Sequence, residues 1–489
     1  MTISLYDTAT QKVRPLEPVR EGHVGIYVCG ATVQGSPHIG HMRCSVAFDV
    51  LRRWLERSGY DVTLVRNVTD IDDKILNKSA EANQPYWAWA AHFEREFSAA
   101  YDALGILPVT YEPRATGHIP DQIDLIQRLV DAGHAYADGK GNVYFDVHSL
   151  PDYGSLTHQK LEDMSTTEDE SQIDAAIEAG KRDPRDFALW KATKPTEPDT
   201  AAWDSPWGRG RPGWHLECSA MSRRYLGDEF DIHGGGIDLR FPHHENEQAQ
   251  SHGAGWGFAR TWMHNAWVTI KGEKMSKSLG NSLVVAEILK HTPAHVLRVA
   301  LGCTHYRSTV EYSEDTLAQA AKMWDKFDAF LHRVAQVEPS VLSADIATVE
   351  LPDRFCAALD DDLNVAGAIA CVHAEIKTGQ RALKAQDVSE AVECALRVRA
   401  MLDILGIDPL SPHWNAATST SDVRMCTGEG AQGGGAMKAL DVLIHDLLEQ
   451  RSKARQEKDW ASADAIRDKL ATAGIVVEDS ADGPTWHIS

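Results

Sequence analysis

The first part of the chain alternates apolar runs with a helical pattern. Two runs rich in β-forming residues, Gly25–Val28 and Val62–Asn67, flank the segment Ser45–Leu55, where apolar residues recur at helical spacing. Strand, helix and strand in this order predict a βαβ unit, the start of a doubly wound parallel sheet of the Rossmann type. Residues 85–104 and 121–132 carry further helical spacing.

The pattern changes several times after residue 130. Short apolar runs such as Val143–Val147, an acidic run and loops rich in Pro and Trp predict an insertion that splits the sheet. A long helical stretch then predicts a helical bundle, and a segment rich in Ser, Thr and Gly predicts a linker. The predicted architecture is therefore of the α/β class. A Rossmann-type domain is divided into a first half (1–130) and a second half (213–300) by a connective insertion (131–212). A helical bundle (301–410), a flexible linker (411–437) and a small C-terminal domain (438–489) follow.

Composition narrows the class of protein. Nonpolar residues make up 43% of the 489 residues, which is enough for several cores, yet no apolar run approaches a membrane span. We therefore expect a soluble, cytoplasmic protein that does not bind membranes. The eight cysteines are scattered, which favours reduced thiols over disulfides. A formal net charge of −22 argues against indiscriminate coating of nucleic acid, although a local basic face would still permit RNA binding.

Two short segments carry the candidate chemistry. Pro37–His41 stands between the apolar run Val24–Val28 and the predicted helix, and the first amides of a helix favour a phosphate. His38 and His41 share one face of the first turn, where they can donate hydrogen bonds to charge that develops on an attacked α-phosphate. Lys274–Ser278 places two lysines in a loop, where their ammonium groups can hold a leaving pyrophosphate. The two segments together predict nucleotidyl transfer from ATP.

These segments resemble the HIGH and KMSKS signatures of class I aminoacyl-tRNA synthetases. Further strings, around Cys29, Cys218 and Phe241–Glu247, are similar to those of cysteinyl-tRNA synthetases, and the resemblance runs from Tyr27 to Trp486. It implies that ATP, L-cysteine and tRNA(Cys) are the substrates, that Mg²⁺ accompanies ATP, and that the enzyme is a monomer. It also implies the catalytic residues His38, His41, Lys274 and Lys277 and the ATP-binding residues His38, Gly40, His41, Gly235, Asp238 and Lys277.

The resemblance further implies a metal site. The residues alone leave its ligands open, because there is no CxxC pair, Cys44 and Cys303 are equally available, and His244 and Glu245 compete with their neighbours. A metalloprotease HExxH motif is excluded, since Gln248 stands where the second histidine would be. The resemblance selects, for one Zn²⁺, two cysteines and a histidine and glutamate whose four-residue spacing fits one helical face: Cys29, Cys218, His243 and Glu247.

A zinc-bound thiolate would separate cysteine from serine, which a pocket without a metal discriminates poorly. The resemblance also implies the residues that contact the amino acid: Gly30, Thr69 and Trp214. It also implies that the neighbouring Asp70 holds the ammonium group of the amino acid; the alternative for Thr69 and Asp70 is capping of the following helix. The resemblance implies that Trp214 and His215 form a flexible pair that closes on the substrate, and the alternative for both is aromatic packing.

A glycine-rich run, His233–Asp238, follows the apolar strand Phe230–Ile232. We expect a loop there, in which glycines let the backbone approach adenine and ribose while Asp238 accepts hydrogen bonds from ribose hydroxyls. A P-loop ATPase is excluded because no GxxxxGK[ST] sequence is present.

The C-terminal segment 438–489 resembles the anticodon-binding end of cysteinyl-tRNA synthetases. It shows an amphipathic helical pair and a short strand, Ile475–Val477. Trp486 could stack on a base or be buried against that strand. A cluster of cations before Trp460 either contacts RNA or forms a solvated helix face: Arg451, Lys453, Arg455 and Lys458.

The predicted reaction is ATP-dependent attachment of cysteine to tRNA(Cys) through a cysteinyl-adenylate. One alternative is a ligase that joins cysteine to an amino-sugar in low-molecular-weight thiol biosynthesis, which would not need residues 438–489. A second alternative is an inactive, synthetase-like RNA-binding protein, which would need neither signature segment nor the metal ligands.

Overall fold

The computed structural model describes residues 2–164, 180–270, 273–274, 283–418, 447–448, 450–451, 453–454, 459, 463–464, 466–467, 469–470, 475–480 and 483–488. The chain divides into two compact units, residues 1–414 and 415–489.

The first unit begins with a hairpin and a βαβ crossover. Its opening elements are β1 (Ser4–Asp7), β2 (Lys12–Pro15), β3 (His23–Val28), α1 (Ile39–Arg57), β4 (Asp61–Arg66), α2 (Asp73–Glu81), α3 (Tyr86–Ala103) and α4 (Ile119–Asp131). Strands β3 and β4 are parallel, as the crossover requires. Helix α1 begins earlier than the predicted segment Ser45–Leu55, because its first turn includes the histidine-containing segment.

An antiparallel sheet follows, within the range of the predicted insertion. Its strands, in spatial order, are β5 (Ala135–Ala137), β6 (Val143–Phe145), β7 (Phe187–Ala192) and β8 (Gly210–Pro212). The predicted strand Val143–Val147 is too long by two residues. The strand ends at Phe145 because Asp146 caps a short turn, its carboxylate accepting a hydrogen bond from the His148 N–H.

The second half of the unit completes the central sheet. Its elements are α5 (Trp214–Leu226), β9 (Phe230–Gly236), a π-helical turn (Arg240–His244), α6 (Glu245–Gly253), β10 (Ala259–Asn265), β11 (Val268–Ile270), β12 (Glu273–Lys274), α7 (Val285–Ile288), α8 (Ala294–Gly302) and β13 (Val310–Glu311). The central sheet has the order β10–β9–β3–β4, and all its neighbours are parallel. A small separate sheet has the order β12–β11–β13.

Both faces of the central sheet are covered, which explains the continuous apolar run of β3. Val24, Ile26 and Val28 pack into one core, whereas Tyr27 and Cys29 pack into another on the opposite face. Alternate residues of a strand point to opposite faces, so only a strand buried on both sides has this composition. The predicted Rossmann-type parallel sheet is confirmed.

The loop predicted at His233–Asp238 is wrong in its first part. His233–Gly236 are the last residues of β9 and pair with β10, and only the next residues form a 3₁₀ turn. The reason is steric, because a Cβ on Gly234 would lie 2.0 Å from Cζ of Phe48. Glycine there allows α1 to pack directly on the strand rather than marking a loop.

Helices dominate the rest of the first unit. They are α9 (Glu314–Val337), α10 (Asp353–Asp360), α11 (Val365–Lys384) and α12 (Val388–Ile404), and a further helix, α13 (Pro412–Thr418), begins in this unit and ends after its last residue, 414. Their apolar stripes share a core with α1, in which Phe327, Phe355 and Met401 are fully buried. No helix in the described part of the chain is both long and apolar enough to cross a membrane.

The second unit contains a hairpin where one short strand was predicted. Strand β14 (Ile475–Ser480) extends beyond the predicted Ile475–Val477 and pairs with β15 (Gly483–Ile488), in which Val477 faces Trp486 in register. Arg451 is buried and Lys453 is exposed. The other groups predicted to contact RNA lie outside the described residues: Arg455, Lys458 and the side chain of Trp486. The predicted domain boundaries stay predictions.

Candidate active site

The carboxyl ends of β3, β9 and β10 border a cavity of about 330 Å³. In an open parallel sheet, ligands bind where successive connections run to opposite sides of one strand. β3 is such a strand, because it pairs with β4 on one side and with β9 on the other. Most of the predicted site residues outside the metal cluster line this cavity, namely Gly30, His38, Gly40, His41, Trp214 and Asp238, as does one predicted ligand, Cys29.

His38 and His41 stand at the start of α1. Their rings stack with centroids 3.6 Å apart, and the His38 backbone N–H donates to Nδ1 of His41 at 3.1 Å. Because Nδ1 of His41 accepts this bond, the proton of its neutral ring is assigned to Nε2. His41 therefore carries an N–H donor on its other nitrogen, the kind of group that stabilises negative charge on a phosphoryl oxygen.

The four predicted metal ligands come together beside this cavity. Cys29 follows β3, Cys218 lies on α5, and His243 and Glu247 lie on the π-helical turn and α6. All four are buried, and their ligand atoms lie within 4.8 Å of one another. The two Sγ atoms are 3.6 Å apart. Two thiolates on a tetrahedral Zn²⁺, with Zn–S bonds of about 2.3 Å, would be about 3.8 Å apart, so the observed spacing fits such an ion.

The carboxylate of Glu247 joins the cluster from α6. Its Oε1 lies 3.3 Å from Cys29 Sγ and 3.0 Å from His243 Nε2. Its Oε2 lies 2.7 Å from His233 Nε2. On the other side of the cluster, His215 Nδ1 lies 3.0 Å from His243 Nδ1. Ligating carboxylates and imidazoles in proteins generally make such outer hydrogen bonds, which fix the ligand orientation.

A second set of potential ligands shares two members with the first. It combines Cys29 and Glu247 with His233 and His244. His244 Nδ1, however, lies 2.8 Å from His264 Nε2, so this imidazole belongs to a hydrogen-bonded chain of rings. Thiolates favour Zn²⁺, so the set with two cysteines suits this metal better than the set with one.

The cluster holds protons that a metal ion would displace. Burial and the hydrogen bond to Cys218 raise the pKa of the Cys29 thiol well above its ordinary value. Burial also acts to raise the pKa of Cys218, but the hydrogen bonds from Cys29 and His243 bring it to about 7. Burial acts to lower the pKa of His243, but Glu247 and Cys218 raise it to about 10. Near neutral pH, Cys29 and His243 each therefore carry a proton that metal binding would release.

Trp214 connects the cluster to the cavity. Its indole stacks on His243 with ring centroids 4.3 Å apart, and it also lines the cavity. A larger cavity, of about 840 Å³, lies on the side of the antiparallel sheet, and Trp214 and Lys74 line both cavities. Trp214 therefore packs against an aromatic ring, as the alternative predicted, and it also forms part of the cavity wall. Its contact with substrate stays a prediction.

A hydrogen-bonded chain joins the predicted amino-acid-binding residues. The Gly30 N–H donates to Asn67 Oδ1 at 2.8 Å, Asn67 Nδ2 donates to Thr69 Oγ1 at 3.2 Å, and Thr69 Oγ1 donates to Glu217 Oε2 at 2.7 Å. Position 30 requires glycine, since a Cβ would lie 1.6 Å from the Asn67 carbonyl oxygen. Thr69 is buried behind the cavity wall, and its contact with substrate stays a prediction.

Asp70 and Asp72, which precede α2, make different contacts. Asp70 accepts hydrogen bonds from the Thr116 N–H at 2.9 Å and from Thr116 Oγ1 at 2.5 Å. Asp72 caps α2 by accepting a hydrogen bond from the Lys74 N–H. The capping alternative therefore applies to Asp72, and Asp70 instead holds the segment that carries Thr116.

The residues near the predicted ATP-binding residues Gly235 and Asp238 lie at the ends of β9 and β10. Gly236 and Asn265 are neighbours in the parallel register, and both line the cavity together with Asp238. Gly235 is buried one residue earlier, where a Cβ would lie 3.0 Å from His244 Cε1. Its predicted part in ATP binding stays a prediction.

The cavity wall continues through residues 266–268 into β11. The backbone of Lys274 lies in β12 and pairs with Thr269. Lys277 lies outside the described residues, so the predicted pyrophosphate-holding pair stays a prediction.

Sequence reasoning assigned no role to several residues that support the cluster. Tyr27 lies beside both cysteines, and burial together with the charges of Cys218 and Cys29 raises its pKa well above the ordinary value. Strand alternation would have indicated it, because Tyr27 and Cys29 are two residues apart on one face. The resemblance singled out His215 as a partner of Trp214 and not as a support of the cluster, although its three-residue spacing from Cys218 on α5 places both on one helix face. His233 and Asn67 carry no such signal, since they meet their partners only through the fold.

Models of known families match three segments of the chain. Residues 15–322 match the family described as tRNA synthetases class I (C) catalytic domain. Residues 354–409 match the DALR domain, and residues 437–486 match the cysteinyl-tRNA ligase anticodon binding domain.

Curated relatives and solved structures are also similar to the chain. A cysteine–tRNA ligase of Beutenbergia cavernae is 59% identical over 100% of this chain and 99% of its own length. A cysteine–tRNA ligase of Streptomyces coelicolor is 52% identical over 100% of this chain and 76% of its own length. A solved methionyl-tRNA synthetase of Mycobacterium tuberculosis, in complex with methionyl-adenylate, aligns with a TM-score of 0.56 and 15% identity over 81% of this chain and 93% of that chain. The last likeness shows the fold alone.

Proposed function

The chain belongs to the cysteine–tRNA ligase family of class I aminoacyl-tRNA synthetases, and we propose that it attaches L-cysteine to tRNA(Cys) in two ATP-dependent steps. In the first step, a carboxylate oxygen of cysteine attacks the α-phosphorus of ATP, the bond to the β-phosphate breaks, and pyrophosphate leaves. In the second step, a terminal ribose hydroxyl of the tRNA attacks the carbonyl carbon of the adenylate, and AMP leaves. The observation that supports this proposal most directly is that the paired imidazoles and Cys29, one of the four buried cluster residues, line the same cavity.

The paired histidines act on the phosphate. His41 donates from Nε2 to a non-bridging oxygen of the α-phosphate, and the stacked ring of His38 fixes its orientation. Such preorganised donors stabilise the charge that develops during attack without any reorganisation of the protein. Lys274 and Lys277 are the proposed partners of the pyrophosphate, and Mg²⁺ the proposed partner of the ATP phosphates.

The buried cluster selects the amino acid. When bound by Cys29, Cys218, His243 and Glu247, Zn²⁺ would coordinate the substrate thiolate and discriminate against the serine hydroxyl. His215 and His233 hold the imidazole and carboxylate ligands in place. Trp214, stacked on His243, encloses the side-chain end of the cavity, and the ammonium and carboxylate of the substrate then extend toward Gly30 and the histidine pair.

The tRNA is bound in part by residues 437–486, which match an anticodon-binding family. This match and the names of the full-length relatives favour tRNA charging over ligation of cysteine to an amino-sugar. We further propose that the enzyme acts as a monomer in the cytoplasm, because one chain supplies the imidazoles, the cluster and the cavity, and because charged tRNA is used in translation.

The test is charging of purified tRNA(Cys) by the zinc-loaded enzyme, with labelled cysteine and labelled serine in parallel. We expect labelled tRNA with cysteine only. Cysteine-dependent exchange of pyrophosphate into ATP without tRNA labelling would instead favour the small-amine ligase. Absence of both activities would contradict an enzymatic role.

The pyrophosphate role is tested by Lys277→Ala, with Lys290→Ala as the control, since Lys290 lies on the surface beside Glu287. We expect exchange of pyrophosphate into ATP to fall in the first variant only. Unchanged exchange in Lys277→Ala would show that another group holds the leaving pyrophosphate.

A further inference from the structure

Arg43 is a buried cation on α1, two residues after His41. It is 1% exposed, and its hydrogen-bond acceptors within the described part of the chain are all backbone carbonyl oxygens. The acceptors are Leu301, Thr304 at 3.2 Å, His305 at 2.7 Å and Ser308 at 3.4 Å. Among the described residues, no carboxylate forms an ion pair with Arg43, whereas the equally buried Arg298 pairs with Asp49 at 2.5 Å.

A buried charge without a counterion is costly unless dipoles replace its hydration. The carbonyls around Arg43 supply such dipoles, because Leu301 belongs to the last turn of α8, where a helix carries partial negative charge. Burial lowers the pKa of Arg43 to about 10, so it is still charged at neutral pH. Its guanidinium therefore fixes the backbone of residues 301–308 against the helix that begins with the paired histidines.

The same loop holds the nucleotide-side wall of the cavity. The Ala266 N–H donates to the Tyr306 carbonyl at 2.8 Å, and the Val310 N–H donates to the Trp267 carbonyl at 3.0 Å. Next to these bonds, β11 and β13 pair in parallel, with Val268 opposite Val310. Residues 266–268, which line the cavity, are thus bonded to the segment that follows the carbonyls held by Arg43.

We propose that Arg43 is a positioning residue for ATP, which sets the distance between the wall at 266–268 and the paired imidazoles of α1. This inference rests on the proposed function, because it assigns the nucleotide to that side of the cavity. Arg43 acts through loop 301–308 and touches no substrate. Its loss therefore weakens ATP binding and leaves the metal cluster unchanged, because the carbonyls that it holds belong to none of the elements that carry the ligands.

Loop 301–308 is also bonded to Asp362 in the helical region, so replacement of Arg43 should not unfold it. Asp362 accepts hydrogen bonds from Tyr306 Oη at 2.5 Å and from Arg307 Nε at 2.7 Å. These bonds persist when Arg43 is replaced, so we expect the loop to shift rather than to detach. The backbone of 303–305, however, loses its partner in α1.

The experiment compares Arg43→Met and Arg43→Lys with the control Arg57→Met in the full-length, zinc-loaded enzyme. Arg57 lies at the other end of α1, and its guanidinium donates to the Val349 carbonyl, far along the chain from the wall. We measure KM for ATP, KM for cysteine, bound zinc and thermal stability. In Arg43→Met we expect KM for ATP to rise roughly 10- to 100-fold, while KM for cysteine and the zinc content stay within about twofold of the wild type. Arg43→Lys keeps the charge with fewer donors and should lie between.

A second experiment tests whether free guanidinium ion can replace the side chain once it has been removed. In Arg43→Ala, added guanidinium ion at a non-denaturing concentration should lower KM for ATP toward the wild-type value, and sodium chloride at the same ionic strength should not. Equal rises of both KM values, loss of zinc, or lack of rescue would overturn the positioning role. If the wild type itself neither binds ATP nor exchanges pyrophosphate, the proposed function fails instead, so the two failures are distinguishable.

Discussion

The two ends of the cavity are built in different ways. At the proposed amino-acid end, potential ligands from the end of β3, from α5, from the π-helical turn and from α6 converge in the buried core, and none of the four is more than 7% exposed. At the nucleotide end, the wall at 266–268 lies outside the central sheet, is bonded to loop 306–310, and includes Trp267, which is 40% exposed. In the function proposed above, the amino acid is therefore selected in a buried core, whereas the nucleotide is positioned by segments nearer the surface. Substitutions should therefore separate the two functions.

The largest effect is expected from replacing a ligand. Cys218→Ser should abolish stoichiometric zinc binding and lower cysteine activation by on the order of a thousandfold or more, since a neutral hydroxyl is a poor substitute for a thiolate ligand. Metal analysis and pyrophosphate exchange measure both quantities. Cys394→Ser, at a buried cysteine of α12, is the matched control and should retain its zinc. Full zinc content in Cys218→Ser would show that the ligand set is misassigned.

The next effect concerns the other end of the cavity. His41→Asn should lower kcat for adenylate formation by roughly 10²- to 10³-fold, because a donor to the developing charge is lost. Zinc content should not change, which is the contrast with Cys218→Ser. His92→Asn, at an exposed histidine of α3 that pairs with Glu96, serves as the control. A parallel loss of zinc in His41→Asn would break the proposed independence of the two ends.

The protonation state of the cluster predicts how metal affinity depends on pH. Cys29 and His243, with pKa values raised above the neutral range, each lose a proton on binding. The affinity for zinc should therefore rise with pH, by about tenfold per pH unit for each proton released. Two protons predict a rise of about a hundredfold from pH 7 to pH 8. Competition with a chromophoric chelator measures the slope. A slope of one proton or less would show that His243 is neutral in the metal-free protein.

The smallest effect is expected for a residue outside the ligand set. His215→Phe keeps an aromatic ring beside Phe187 and Trp214 but removes the nitrogen that faces His243. Loss of such an outer contact should weaken zinc binding by roughly 10- to 100-fold. His252→Phe, on the surface side of α6 beside Asp152, should leave zinc affinity unchanged. Equal affinities in the two variants would limit the role of His215 to packing.

Local patterns predicted the elements well and the cluster poorly. The apolar runs around β3 and β4 and the histidines at the start of α1 are adjacent in sequence, so periodicity alone indicated them. The ligands Cys29 and Cys218 are 189 residues apart, and no spacing rule chooses them over Cys44 or Cys303. Only the resemblance selected them. The structure packs Cys44 and Cys303 against the apolar core instead, where burial raises the pKa of each to about 12.

Errors in the prediction have a common physical cause. The glycines of β9 were assigned to a loop because glycine is common in loops, whereas tertiary packing against Phe48 requires Gly234 within a strand. Thr69 and Glu217 bond to each other across 148 residues, so neither sequence neighbourhood indicates the pair. Contacts between distant segments decide these positions, and local propensity does not encode them.

The sequence separation of the ligands also governs when the site can form during synthesis. Glu247 follows Cys29 by 218 residues, so at about 5–20 residues per second the ribosome needs roughly 10 to 45 s to add it. Until Cys218 is added, 189 residues after Cys29, β3 has β4 as a neighbour but lacks β9, and the thiol at its end has no ligand partner. A nascent chain that pauses between these points presents an accessible cysteine to oxidants, and metal can be captured in its final geometry only after the second half of the sheet has joined the first.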